Sequence, residues 1–179
     1  EDETQKVRLV NVFERLEILI NEFAKIEQLL SKSYSLNYQD YHFSLILEQV
    51  KDMSMLDNWD ELISTDIECD AVINVDFGLF ALAIKNLIDN ALKYSSDKKV
   101  RIICDENKVS VANRGAALAK SFEHYKQAFI RNKDEKATGM GLGLYIIDKI
   151  CELHKFRFEY NYSDGTHYFS IVFSPKGAI

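Results

Sequence analysis

Three glycines spaced two apart, Gly139, Gly141 and Gly143, stand in the stretch ATGMGLGLYIIDKI at residues 137–150 and lead directly into an apolar-periodic segment. Glycines let backbone N–H groups approach an anion closely, and a helix that follows turns its positive end to the same spot. No Lys-Ser or Lys-Thr pair follows, so this is not a Walker A loop. The GxGxG spacing after charged, irregular residues does not fit a dinucleotide fingerprint either. On its own the loop is an anion site or a structural turn before a helix.

A second group of residues changes that balance. The segment NLIDNALKYS sets Asn86, Asn90 and Tyr94 four apart with Lys93 beside them, which places all four on one helical face. Two amides on an otherwise apolar helix are costly to bury without partners. Alone they read as satisfied buried amides, an exposed polar stripe, or ligand groups. An amide oxygen is a neutral hard ligand for Mg²⁺, which keeps several waters while bridging phosphates and so needs few protein ligands. Asn90 could be such a ligand, Lys93 would complement phosphate charge, and Tyr94 could stack or hydrogen-bond near the sugar and phosphates. The chemistry that fits both groups is Mg²⁺-nucleotide binding.

These residues need elements to hold them. Residues 3–33 contain no Gly or Pro, and Leu9, Phe13, Leu16, Ile20, Phe23, Ile26 and Leu30 recur every three or four positions. This predicts one amphipathic helix about 45 Å long, more than a compact domain needs, and so a coiled-coil or bundle arm. SKSYSLNYQD breaks the pattern, which puts a boundary between an arm at 1–36 and a domain at 37–179. Beyond it, FSLILEQVKDMSML reads as a helix, ISTDIECDAVINVD as one or two strands, and residues 77–95 as a strong helix. KVRIICDE and KVSVAN form a hairpin, GLYIIDKICELHK a helix, and FRFEYNY with HYFSIVF a closing hairpin around SDGT. Residues 114–138 carry no clear pattern apart from a turn around 122–129, as expected of a functional lid or a disordered segment. Antiparallel strands with helices on one face predict an α+β, two-layer sandwich.

Composition sets the outer limits. The 179 residues are 47% hydrophobic and 28% charged, ordinary for a globular chain. A net charge of −6 discourages nucleic-acid or anionic-membrane partners. The charge is uneven, because residues 114–138 hold six basic and three acidic side chains, giving that segment +3 and the rest −9. No run is long and apolar enough to span a membrane and no signal peptide is expected. Cys69, Cys104 and Cys151 lack CxxC spacing and are expected to be free thiols in a reducing cytosol. Cys151 and His154, three apart on a helix, are half of a zinc pattern that no second pair completes.

NLIDNALKYS resembles the N box, and GMGLGLYI the G2 box, of bacterial sensor histidine kinases, over roughly residues 40–175. That resemblance implies the Bergerat-type ATP-binding fold shared with gyrase, Hsp90 and MutL: a mixed sheet with helices on one face, preceded here by one long helix. It implies a protein-histidine kinase that moves the ATP γ-phosphoryl to a histidine, from which a response-regulator aspartate takes it. None of His42, His124, His154 or His167 sits in the family's H-E/D-x-x-x-P setting, so the acceptor histidine is expected outside this chain. The long helix looks like the second helix of the dimerisation and phosphotransfer hairpin. Homodimerisation through that hairpin, a response-regulator receiver domain as partner, and a cytoplasmic domain of an inner-membrane-anchored sensor follow by likeness, with no direct membrane contact by this segment. The alternative is a degenerate nucleotide-binding or scaffold module of the same fold.

Carried over by motif, Asn90 looks like the Mg²⁺ ligand, and Lys93 and Tyr94 like nucleotide contacts. Asn86 stands where gyrase-like relatives keep a catalytic Glu, which counts against a gyrase- or Hsp90-type ATPase. Gly139, Met140, Gly141, Leu142, Gly143 and Leu144 look like the lid-closing loop whose amides face the triphosphate. The family's DxGxG box appears as NRGAAL, with Asn113 for the adenine-binding Asp, Gly115 retained and Ala117 for the second Gly. A neutral Asn accepts more weakly than a carboxylate and can also donate, so weaker adenine-over-guanine discrimination is expected. Of the family's F-x-x-F-x-R only Phe129 and Arg131 remain, with Tyr125 four before Phe129.

Overall fold

The computed structural model describes residues 6, 7, 9, 10, 12, 13, 20, 24, 27, 31, 35–128, 130 and 141–173. The chain divides into two compact units, Glu1–Ser35 and Leu36–Ile179. In the first, the described positions from Lys6 to Glu27 are helical, and Leu9, Phe13 and Ile20 of the predicted stripe are exposed. Leu16, Phe23, Ile26 and Leu30 lie outside the described residues.

The second unit is built on a five-stranded mixed sheet whose strands run β2 (Ile63–Ile67), β4 (Val100–Cys104), β5 (Lys108–Arg114), β7 (Thr166–Val172) and β6 (Arg157–Ser163). β2 is parallel to β4 and every other pairing is antiparallel. Successive side chains of a strand point to opposite faces, and the register lines them up in rows. Val100, Asn113, His167 and Tyr162 form one row, Ile102, Val111, Phe169 and Tyr160 the next, and Cys104, Val109, Ile171 and Phe158 the third. These rows hold most of the buried residues of β4, β5 and β7; on the opposite face Arg101, Asn161 and Glu159 are exposed, while Ser110, Ala112 and Ser170 are buried.

The helices α1 (Phe43–Ser54), α3 (Phe77–Tyr94) and α5 (Gly143–His154) cover the apolar rows, α3 packing between its neighbours and against β5. α3 begins where Asp76 accepts the Leu79 N–H at 3.2 Å, and it buries eight residues from Leu79 to Ala91. α5 ends with Lys155 at φ 59° and the Phe156 N–H returning to the Cys151 carbonyl at 2.9 Å. Two short helices, α2 (Trp59–Leu62) and α4 (Phe122–Tyr125), complete the unit.

The expected α+β sandwich is what forms, with two local differences. The boundary segment read as a break contains strand β1 (Tyr38–His42), which pairs with β3 (Val72–Asp76) in a separate two-stranded sheet. Its polar sequence YQDYH hides it, because β1 is nearly all exposed and shows no apolar alternation. The irregular basic segment opens with α4, whose Phe122 packs on Phe158 at 5.0 Å and Tyr160 at 5.3 Å between ring centroids.

All three cysteines are free. Burial raises the Cys104 thiol to about 11 and the Cys151 thiol to about 12. His154 is committed elsewhere than to metal: its Nδ1 lies 2.8 Å from the Ile150 carbonyl and its Nε2 accepts the Asp76 N–H at 3.0 Å. Those partners fix a neutral ring with the proton on Nδ1, and burial lowers its pKa.

Candidate functional site

The polar face of α3 is the starting point. Asn86 and Asn90 sit one turn apart, and their side-chain Nδ2 atoms are buried with no hydrogen-bond partner among the described residues. Buried amide donors are almost always paired, so two orphans on one helix face mark a place where an acceptor is missing. Asn90 looks across at the start of α5. A Cβ at Gly143 would stand 2.9 Å from Asn90 Nδ2 and 3.3 Å from its Oδ1, so only glycine lets α5 begin this close.

Gly141 is required for a different reason. Its φ is 73°, a left-handed conformation that costs other residues, and a Cβ there would run into the Ile130 carbonyl. Leu142, buried, is the residue before the helix, and its carbonyl accepts the Ile146 N–H at 2.9 Å. The N–H groups of the first helical turn, Gly143 to Tyr145, therefore have no intrahelical acceptor, and the helix dipole adds positive potential there. The orphan amide of Asn90 and the N-terminus of α5 thus converge.

They open onto a cavity of about 380 Å³. Asn90 and Tyr94 line it from α3, Gly141, Gly143 and Leu144 from the start of α5, and Asn113 from β5. The remaining wall is Ala116 to Ala119, Tyr125, Ile130, and His167 and Phe169 of β7. The lining divides between polar groups, Asn90, Asn113, His167 and the start of α5, and apolar side chains such as Leu118, Ile130, Leu144 and Phe169. That division suits a molecule with an anionic tail and a flat, weakly polar head.

Asn113 is 4% exposed, and its Nδ2 donates to the Arg114 carbonyl at 3.3 Å. Its oxygen, an acceptor, is what remains for the cavity. His167 is 5% exposed; burial lowers its pKa, and its Nδ1 lies 2.9 Å from the Tyr160 hydroxyl. Lys126 anchors the segment after α4 to α5 through Asp148 at 2.9 Å, and pairs with Glu123 at 3.1 Å. Those carboxylates hold its pKa above the ordinary value despite partial burial.

The residues expected from the sequence thus divide clearly. Asn90, Tyr94, Asn113, Gly141, Gly143 and Leu144 meet at the cavity, with Asn86 one turn behind Asn90 and Gly115 just past Asn113. Lys93 instead holds its Nζ 4.9 Å over the Tyr94 ring and does not line the cavity. Phe129, Arg131, Gly139 and Met140 lie outside the described residues. His167, Phe169 and the alanines after Gly115 were not foreseen as site residues. The signal for His167 is its register opposite Asn113, which needs the long-range β5–β7 pairing.

Among the described residues no three His, Cys, Asp or Glu side chains cluster to hold a metal. A divalent cation here would rest on an amide oxygen and on its ligand's own phosphates, a donor set that suits Mg²⁺. No described helix is long and apolar enough to cross a membrane.

A family described as histidine kinase-, DNA gyrase B- and HSP90-like ATPases matches residues 76–177. Among curated proteins, the sensor histidine kinase ArsS of Helicobacter pylori is 36% identical over 165 residues, which is 92% of this chain and 39% of that protein. The sensor protein BasS of Salmonella typhimurium is 26% identical over 87% of this chain and 47% of its own length. The chain therefore spans less than half the length of these relatives. Among solved structures, the histidine kinase AdeS of Acinetobacter baumannii shares the fold with a TM-score of 0.73 at 21% identity, covering 95% of this chain and 83% of that one. Full-length ShkA in complex with AMPPNP shares it with a TM-score of 0.71 at 19% identity, covering 89% of this chain and 36% of that one.

Proposed function

The chain belongs to the histidine kinase-, DNA gyrase B- and HSP90-like ATPase family, and from that premise we propose that the cavity binds Mg²⁺-ATP for phosphoryl transfer to a histidine outside this chain. The unit Leu36–Ile179 is then the catalytic ATP-binding domain of a sensor histidine kinase. The observation that carries the reading is the orphan amide donor of Asn90 facing the unsatisfied N-terminus of α5, with a second orphan donor, Asn86, one turn behind it on the same helix. A triphosphate supplies the acceptors that both lack.

Phosphoryl transfer asks for positioning and for charge stabilisation rather than covalent chemistry from the protein. The α5 amides and the Asn86 amide would hold and orient the phosphates. Asn90 would hold Mg²⁺ through its amide oxygen, and the ion would supply charge neutralisation for the transfer. Asn113 offers its oxygen to the adenine amine, and its own amine, turned to the Arg114 carbonyl, is withheld from guanine. Lys93 would turn from the Tyr94 ring to complement phosphate charge in this reading. Arg131, Gly139 and Met140 complete the nucleotide contacts in this reading.

In this proposal the helix in Glu1–Ser35 belongs to a dimerisation and phosphotransfer hairpin. The whole protein is an inner-membrane sensor with this domain in the cytoplasm, acting as a homodimer and passing phosphate to a response-regulator receiver domain. Mixing the chain with a separate fragment carrying the acceptor helix and γ-labelled ATP tests it. Acid-labile label on histidine is expected, abolished by Asn90→Ala. Binding of a non-hydrolysable ATP analogue without any transfer would instead establish a non-catalytic module of the same fold. A GTP analogue in the same titration is expected to bind more weakly than the ATP analogue.

A further inference from the structure

The closing hairpin does more than fill the sheet. Its side chains and turn hold the loop that follows β5 by a series of polar contacts. The Gly115 N–H donates to the Gly165 carbonyl at 3.0 Å, and the Tyr162 hydroxyl donates to the Gly115 carbonyl at 3.0 Å. The His167 imidazole also faces the Ala116 carbonyl, and the Tyr160 hydroxyl faces the Leu118 N–H. Tyr160 and His167 are themselves joined, Oη to Nδ1, at 2.9 Å. With Nδ1 engaged by Tyr160, Nε2 is the nitrogen left to carry the proton for Ala116. In the neutral ring Nδ1 then accepts the tyrosine O–H. The ring presses on the loop so closely that a Cβ at Gly115 would stand 2.9 Å from Nε2.

That loop, Ala116 to Ala119, is the wall of the cavity beside Asn113, and His167 is the register partner of Asn113 across β5 and β7. We propose that Tyr160 and His167 are positioning residues for the nucleotide base: by clamping Gly115 to Leu118 against the sheet they set the width of the base pocket and the placement of Asn113. The proposal rests on the nucleotide reading above and deepens it. Tyr160 is not among the cavity-lining residues and His167 spends both ring nitrogens on the protein, so neither reads the base itself. Small alanines with no side-chain hydrogen bonds of their own cannot hold such a wall, and the clamp supplies the missing restraint.

The test compares the native chain with Tyr160→Phe, His167→Ala, His167→Gln and His167→Asn, measuring affinity for Mg²⁺-ADP and for Mg²⁺ with inorganic tripolyphosphate, the latter by competition. Tyr160→Phe and His167→Ala each remove two of these contacts and are expected to weaken ADP by about tenfold or more, tenfold being roughly the effect of losing a single buried hydrogen bond, and to leave tripolyphosphate unchanged. His167→Gln, whose amide can still donate where Nε2 did, is expected to recover most of the loss, and His167→Asn to recover little. Equal loss for ADP and tripolyphosphate, equal behaviour of the Gln and Asn variants, or unchanged ADP affinity in every variant would overturn the proposal. A native chain that binds tripolyphosphate but no ADP overturns the nucleotide reading and the clamp with it.

Discussion

Gly143→Ala separates the site's chemistry from the fold's stability. The added Cβ would meet Asn90 Nδ2 at 2.9 Å and its Cγ at 3.5 Å. Comfortable non-bonded contact begins near 3.5 Å, so the amide must retreat by about 0.5 Å or more. Only the end of a flexible side chain has to move, and alanine is a better helix former than glycine. The two effects leave stability within about 1 kcal/mol of the native chain. Function has no such tolerance. A displacement approaching 1 Å in a positioning group costs on the order of 10 to 100-fold in transfer rate, or about 1.4 to 2.7 kcal/mol of barrier. The assay is γ-phosphoryl transfer to a separate acceptor-helix fragment, with a urea melt alongside. Full transfer activity in Gly143→Ala would refute the claim that Asn90 acts against the start of α5. Activity and stability falling together would show that Gly143 serves packing alone.

Two further outcomes follow from the same geometry. Asn86→Leu removes a buried, unpartnered donor and is expected to raise nucleotide-free stability by about 1 kcal/mol while weakening an ATP analogue; a destabilised variant in urea would show that the amide is satisfied in solution. Burial lowers the pKa of His154 from 6.5, so the unfolded chain binds a proton that the folded chain refuses. The stability that this neutral ring contributes is full above about pH 7 and is lost as pH falls through 6.5 toward the folded value. Urea midpoints at about pH 7.5 and about pH 5.5 should differ more for the native chain than for His154→Gln, and parallel profiles would contradict a buried ring held neutral.

The parts of the site that were legible in the sequence are those fixed by short-range spacing. Asn86, Asn90 and Tyr94 repeat every four residues, and that period alone puts them on one side of α3. Gly141 and Gly143 announce themselves because their roles, a left-handed turn and a helix start close against another side chain, favour a residue without Cβ. The helices α1, α3 and α5 and both hairpins followed from periods of 3.6 and 2 within windows that each bury one face. β1 escaped for the converse reason, since an exposed strand of polar residues carries no pattern to read.

What the tertiary structure alone decided is which distant segments share a wall. The sequence places Asn113 and His167 far apart on different hairpins, and no local rule pairs them; the β5–β7 register does, and with it come Tyr160, the clamp and the alanine wall. Lys93 is the opposite case. Its helical position was correctly foreseen, but the rotamer that sends its Nζ over Tyr94 rather than toward the cavity depends on neighbours and ligand, not on spacing. The sequence by itself determined the donors, the glycines and the helices that carry them, because those are consequences of backbone geometry within a few residues. Pocket shape and base-side restraint belong to strand pairing across the chain, where the choice of partner is made by burial of the whole sheet.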